Sequence, residues 1–352
     1  MKICIILLGA NRNPVGGYKI VYEYANRLSK EGHNINILFL NDTQFKRYHI
    51  PESLRKILVN IYTLIEPRWF KLDKKIKKIS NQQKGYEKLV EGADICIATA
   101  VQTVDTVQNL FLSSKKLYLI QDYENWDISN ERLEDTYSLG MQNIVISSWL
   151  KNIVDKKSKE PSVLIRNPID IEVYKVYSTI EKRNKYKIGV LYHKSPQKGF
   201  KYAYEAILIL KKRFPQLEVL MFGTPPKPLH LPKWIKYFKN ASQKKTVAIY
   251  NSISLFLCAS INEGYGLTGA ESMACGAALV STDYESVHEY AENGKNALLS
   301  PIRDADALAN SATKLIENDA LRIAIAYNGV KSIRKHSWDN AMQLMNTLMH
   351  EQ

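Results

Sequence analysis

One stretch, Ser254 to Asp283, does most to restrict what this chain can fold into. Ser254–Ala259 (SLFLCA) is an apolar run of strand length, and Asn262–Gly266 is a glycine-bearing turn. Leu267–Cys275 has helical composition and is followed by Gly276, the residue type that most easily ends a helix in a left-handed conformation. A second apolar run, Ala277–Ser281, begins at once. Strand, turn, helix and strand in that order predict a βαβ unit. Its turn lies at the carboxyl end of a strand, where open parallel sheets bind ligands.

The chemistry of that turn is specific. Gly264 and Gly266 allow close backbone approach, and the amides of Gly266, Leu267 and Thr268 open the helix and favour an anion such as a diphosphate. Glu263 stands before the helix and Glu271 lies inside it. Carboxylates repel phosphate but accept hydrogen bonds from hydroxyls. A ligand with a central diphosphate and a polyol at each end, a nucleotide sugar, satisfies both requirements.

The rest of the chain supplies the frame. At 352 residues it exceeds the usual size of one core, so two domains are expected. Lys2–Leu8 is a continuous apolar run, as a parallel strand buried on both faces requires. A polar loop, Asn11–Gly17, follows, and helical spacing begins at Tyr18; Gly16 and Gly17 are expected in the loop. No GxGxxG fingerprint is present there, which argues against a nicotinamide enzyme. Asp94–Thr99, Leu117–Ile120 and Asn143–Ser147 are further strands, and Gln121, Asp122, Tyr123, Glu124 and Trp126 gather just past the end of one. Pro168 interrupts regular structure and marks a linker, which puts the domain boundary near Asp170.

Charge and cysteine usage exclude some partners and suggest others. The net charge is +14, but no zinc pattern, basic zipper or RNP motif accompanies it, so nucleic acid is not expected. Residues 45–88 carry twelve Lys or Arg against four acids, interleaved with apolar and aromatic residues. That is the composition of an interfacial amphipathic helix, and an anionic membrane surface is the expected partner. Cys4, Cys96, Cys258 and Cys275 sit in apolar runs without metal-type spacing and read as buried hydrophobes of a reducing compartment. The amino-terminal apolar run, Ile3 to Leu8, is too short for a signal peptide or a spanning helix, so a cytoplasmic protein, peripheral on the inner leaflet, is expected.

The segment EGYGLTGAESMACGAALVSTD resembles the signature of the family-four retaining glycosyltransferases, Glu, seven residues, Glu. The resemblance implies the GT-B fold, two Rossmann-like α/β domains facing across a cleft, here 1–170 and 171–338 with a helix at 339–352 packing back on the first. It implies that Glu263 holds donor-sugar hydroxyls and Glu271 the nucleotide ribose. GGYKIVYEYANRLSKEGH is similar to the family's opening, where Gly16 and Gly17 come near the donor phosphate and sugar. In HKSPQKGF, Lys198–Gly199 matches the Lys-Gly whose lysine clamps the diphosphate, while His193 takes the place of an arginine. Gln121 stands where many members have the His of a His-Asp pair, so Gln121, Asp122 and Glu124 belong to the acceptor region; QDYE is close to a subset associated with rhamnose-type surface polysaccharide synthesis. Where the family shows Gly-Gly and then Glu, this chain reads Glu285–Ser286–Val287–His288–Glu289.

The implied reaction is transfer of a glycosyl group, with retention, from a nucleotide diphosphate sugar to a glycan or lipid-linked acceptor, with Glu263 and Lys198 central and no cofactor or metal required. Two other readings use the same frame: an epimerase or phosphorylase acting on sugar nucleotides, and a non-enzymatic or inactive sugar-nucleotide-binding homologue.

Overall fold

The computed structural model describes residues 1–125 and 128–351. The chain divides into two compact units, one formed by Met1–Ile165 with the stretch from Met342 on, the other by Arg166–Ala341. Each is built on one wholly parallel sheet with its core between sheet and helices.

In the first unit the strands are β1 (Lys2–Leu7), β2 (Asn34–Phe39), β3 (Lys77–Ser80), β4 (Ile95–Ala98), β5 (Lys115–Ile120), β6 (Gln142–Val145) and β7 (Val163–Leu164), in the order β3-β2-β1-β4-β5-β6-β7. The central strand β1 pairs on both sides, Ile3 with Ile35 and with Ile95, and its Ile3–Leu7 are buried. Continuous apolar runs are what a strand covered on both faces requires. In the second unit β8 (Lys187–Tyr192), β9 (Glu218–Gly223), β10 (Ile235–Lys239), β11 (Leu255–Cys258), β12 (Ala278–Thr282) and β13 (Ala297–Ser300) run in the order β10-β9-β8-β11-β12-β13. Both sheets thus reverse their strand order beside their first strand, β1 or β8, and such a switch point is where open α/β sheets place ligands.

Three local expectations are corrected. Gly16 and Gly17 are not in the loop but form the first turn of helix α1 (Gly16–Lys30), with Val15 extended at its start and Lys19 N–H donating to the Val15 carbonyl at 3.0 Å. Residues 45–88 are not one amphipathic segment. They include a 3-10 turn (Lys46–Tyr48), helix α2 (Glu52–Ile65), strand β3, whose Lys77–Ser80 pair with Asn36–Phe39 of β2 at the sheet edge, and the start of a short helix at Tyr86. Lysines suit an edge strand because they discourage further pairing. Lastly, the stretch leading into the Pro168 linker is not all connection: Val163–Leu164 form strand β7, with Val163 paired to Ile144.

Helix α3 (Leu267–Ala274) follows β11 and precedes β12. Helix α4 (Trp338–His350) closes the chain; within the first unit its Asn346 donates to Glu31 at 3.1 Å.

Candidate functional site

In the second unit the loops at the carboxyl ends of β8, β11 and β12 converge. Lys198 lies in the turn after β8, and this turn is tied to the loop after β11 by the Ile261 amide, which donates to the Gln197 carbonyl at 2.7 Å. Gly199 makes the approach possible: its φ is +58°, and a Cβ there would sit 1.8 Å from the Ala259 carbonyl oxygen. No other residue type fits both constraints. The result is an ion pair of 3.0 Å between Lys198 Nζ and the buried Glu263 carboxylate.

Glu263 is held from three sides. Besides Lys198, the Ser260 hydroxyl donates to its Oε1 at 2.5 Å, and the Ser286 hydroxyl donates to its backbone carbonyl at 2.7 Å. Both serines are buried. Charge-assisted bonds of this kind fix a carboxylate in one orientation.

The start of α3 is equally constrained. Gly266 has φ +92°, and a Cβ there would fall 2.2 Å from the Tyr284 hydroxyl and 2.6 Å from that of Tyr290. These two hydroxyls are 2.7 Å apart, and Tyr290 donates to the Gly266 carbonyl at 3.0 Å. The first helical bonds run from Gly269 and Ala270 back to Gly266, so the amides of Gly266, Leu267 and Thr268 precede the ladder and provide the positive end of the helix. Lys198, Thr268, Ser260 and Cys258 are among the residues that line one small pocket. The other end of α3 meets the buried Arg183, whose guanidinium donates to the Cys275 carbonyl at 2.7 Å and also to those of Tyr250, Ile253 and Ser178. Burial pulls the Arg183 pKa down to about 10, so it stays cationic at the negative end of the helix. Glu271, within α3, is buried and accepts from the Tyr250 hydroxyl at 3.4 Å.

His193, half-buried after β8, accepts the Ser195 amide on Nδ1 at 3.0 Å. Burial, then the Lys198 ammonium, lower its pKa, with Glu263 opposing, so the ring is neutral at pH 7. It can donate through Nε2 but lacks the charge of a guanidinium. The Glu289 side chain is covered and paired with Arg166 at 2.6 Å, while Asp283 and His288 form a separate pair at 2.8 Å.

In the first unit, Gly17 and Gln121 adjoin: a Cβ on Gly17 would lie 3.3 Å from the Gln121 side-chain nitrogen. The Gln121 Oε1 is buried without a hydrogen-bond partner among the described residues. Glu124 accepts the Val101 amide at 2.8 Å, and burial pushes its pKa up to about 7 against that bond, with Asp122 adding to the rise. Asp122 accepts the Tyr123 amide at 2.9 Å, and Trp126 lies outside the described residues. Sequence reasoning named Glu263, Glu271, Lys198, His193 and the amides of α3, which the structure gathers in one unit. It missed Ser260, Ser286, Tyr284, Tyr290 and Arg183, which position them.

Two Rossmann-like parallel sheets in one chain define the GT-B class of fold, and a solved structure bears this out. HepE of Anabaena, in complex with UDP and glucose, matches 99% of this chain and 99% of its own, with a TM-score of 0.76 at 17% identity. A family model described as glycosyl transferases group 1 matches residues 178–332. An uncharacterized glycosyltransferase of Methanocaldococcus jannaschii is 23% identical over 216 residues, 59% of this chain and 59% of that protein. A D-inositol 3-phosphate glycosyltransferase of Corynebacterium urealyticum is 28% identical over 158 residues, 40% of this chain and 37% of its own length. The matched stretches therefore span from just over a third to three fifths of these relatives.

Proposed function

We propose that this protein is a retaining glycosyltransferase that moves a sugar from a nucleotide diphosphate sugar to a hydroxyl of a glycan or lipid-linked acceptor in cell-surface polysaccharide synthesis. The observation that carries the reading is the pairing of Lys198 with Glu263 beside Thr268 at the opening of α3. It brings one cation and a fixed carboxylate to the row of amides that opens α3, groups whose chemistry suits a sugar diphosphate. HepE, with UDP and glucose bound, supports the donor class.

In the proposed reaction the bond from the anomeric carbon to the diphosphate oxygen breaks. Lys198 and the amides of Leu267 and Thr268 stabilise the charge that develops on the departing diphosphate. His193 donates a hydrogen bond as a neutral group, Glu263 orients the sugar hydroxyls and Glu271 receives the ribose. Gly16 and Gly17 approach the donor, and Gln121, Asp122 and Glu124 belong to the acceptor side. The acceptor oxygen attacks from the face that the leaving group vacates, and its proton passes to the departing diphosphate. No metal ion is required in this scheme. The acceptor is presented at the anionic inner surface of a membrane, which residues 45–88 meet.

A thermal-shift screen against a panel of nucleotide sugars tests the donor assignment, since a ligand that binds the folded state raises the melting temperature by mass action. A rise with one or more nucleotide sugars, followed by transfer to an acceptor, is expected. Consumption of the nucleotide sugar without any acceptor points instead to epimerase or phosphorylase chemistry, and binding without turnover to a non-enzymatic homologue.

A further inference from the structure

Helix α2 wears its apolar side outward. Leu54, Ile57, Leu58, Ile61, Leu64 and Ile65 are 45%, 55%, 39%, 48%, 66% and 49% exposed. At 3.6 residues per turn these six positions fall within an arc of roughly 120° on one side of the helix. The opposite side faces the unit's interior: Val59 and Thr63 are buried, and Thr63 accepts from Asn41 at 3.0 Å while donating to the Val59 carbonyl at 2.9 Å. Scattered exposed hydrophobics are ordinary on a soluble surface, but a continuous stripe of six on one helix marks a contact surface.

The charge of the segment that carries the stripe specifies its occupant. Residues 45–88 hold twelve cations and four acids, and two of those acids are already matched, Glu52 by Lys56 at 2.8 Å and the buried Glu66 by Arg68 at 3.1 Å. Arg47 lies over the ring of the exposed Tyr48 at 4.7 Å, an amphipathic pair suited to a headgroup layer. Lys78 donates to the carbonyls of Leu64 and Glu66 and closes the end of the helix. Fourteen residues make a helix about 21 Å long, suited to lying in an interface rather than crossing it. Among the described residues no helix is long and apolar enough to span a membrane.

We infer that the outward face of α2 is the element that docks this protein on an anionic lipid bilayer, with its apolar stripe among the upper acyl chains and the lysines and arginines of the same basic segment supplying attraction to the headgroups. This rests on the reading above that the acceptor lies at a membrane, and it narrows the docking surface from residues 45–88 to one face of one helix.

The test uses the full chain and its variant Ile57→Glu/Ile61→Glu/Leu64→Glu, whose three side chains point to solvent, so its melting temperature should match the parent's. Both are sedimented with vesicles of phosphatidylcholine mixed with phosphatidylglycerol, and with vesicles of phosphatidylcholine alone. The parent should bind the anionic vesicles, more weakly as salt rises, and the variant should bind about tenfold less. Equal binding by parent and variant, or no binding by the parent, overturns the inference. So does a parent that is dimeric without vesicles and becomes monomeric in the variant, because the occupant is then a second copy of the chain. Sugar transfer to a soluble acceptor is measured on both proteins. Docking as expected with no transfer in either removes the catalytic reading and leaves the docking; transfer in both with no docking does the reverse.

Discussion

The two sheets share one strand order, yet the loops at their carboxyl ends are prepared in different ways. In the second unit the charged groups are already matched: Lys198 with Glu263, Ser260 and Ser286 on Glu263, Tyr290 on Gly266 and Arg183 on the far end of α3. In the first unit Gln121 has a buried oxygen without a partner among the described residues, and burial pushes the Glu124 pKa up to about 7. The same topology therefore carries a closely bonded candidate site in one unit and a less fully bonded set of loops in the other, and we read the first as rigid and the second as adaptable. Preorganisation is what stabilising a departing diphosphate demands, because groups that must reorient during the reaction lose most of their benefit. The acceptor side proposed for the first unit has no such requirement.

The largest effects should come from the matched pair. Glu263→Gln or Lys198→Ala should lower turnover by about 100-fold or more, as loss of a preorganised charge stabiliser does elsewhere. Steady-state kinetics measure this, and full activity in either variant would remove the assigned roles. The single variants also differ from the double. Lys198→Ala strands a buried carboxylate, so Lys198→Ala/Glu263→Gln should be more thermostable than Lys198→Ala alone.

Next come the glycines, which set the two units directly against each other. Gly199→Ala drives a methyl group into the Ala259 carbonyl at a positive φ, and loss of folded protein or at least tenfold loss of activity is expected. Gly17→Ala meets only the movable Gln121 side chain at 3.3 Å, so its melting temperature should shift little. Similar damage from both substitutions would contradict the contrast between rigid and adaptable sites.

Arg183→Ala leaves several buried carbonyls without their donor and should cost on the order of 3 kcal/mol, read as a lower urea midpoint. The smallest effect concerns pH. Because the folded pKa of Glu124 is raised to about 7, the protonated form is favoured in the folded state; the stability tied to it is complete below the unfolded pKa near 4.5 and is lost as pH rises through about 7. Glu124→Gln should remove this part of the pH dependence and raise the melting temperature relative to the parent at pH 8 but not at pH 5. An unchanged pH profile of stability would place Glu124 in a more polar setting than the one described.

Much of the second unit's site was legible because its parts are close in sequence. Glu263, Gly266 and Glu271 lie within one strand, turn and helix, and Lys198 stands one residue before the glycine that its turn requires. The supporting side chains were not legible, since their roles arise from long-range contacts. Arg183 lies in a run of polar residues and reads as a solvated cation, yet its partners are the carbonyls of Tyr250, Ile253 and Cys275, brought to it by the fold. Tyr284 and Tyr290 read as core aromatics, and only the closeness of their hydroxyls to Gly266 gives them a task. Strand β3 escaped notice because Lys77 and Lys78 mask the short apolar signal of an edge strand. The spacing of α2 shows that a stripe exists, but periodicity carries no sign and cannot say which side packs inward.

The most direct test of the central claim is the dissociation constant for the nucleotide sugar that gives the largest thermal shift, measured calorimetrically for the parent, for Lys198→Ala/Glu263→Gln and for Gln121→Ala. If the second unit grips the diphosphate through Lys198 and the opening of α3, the double variant binds at least about tenfold more weakly while Gln121→Ala stays much closer to the parent. A double variant that binds as tightly as the parent would contradict the account.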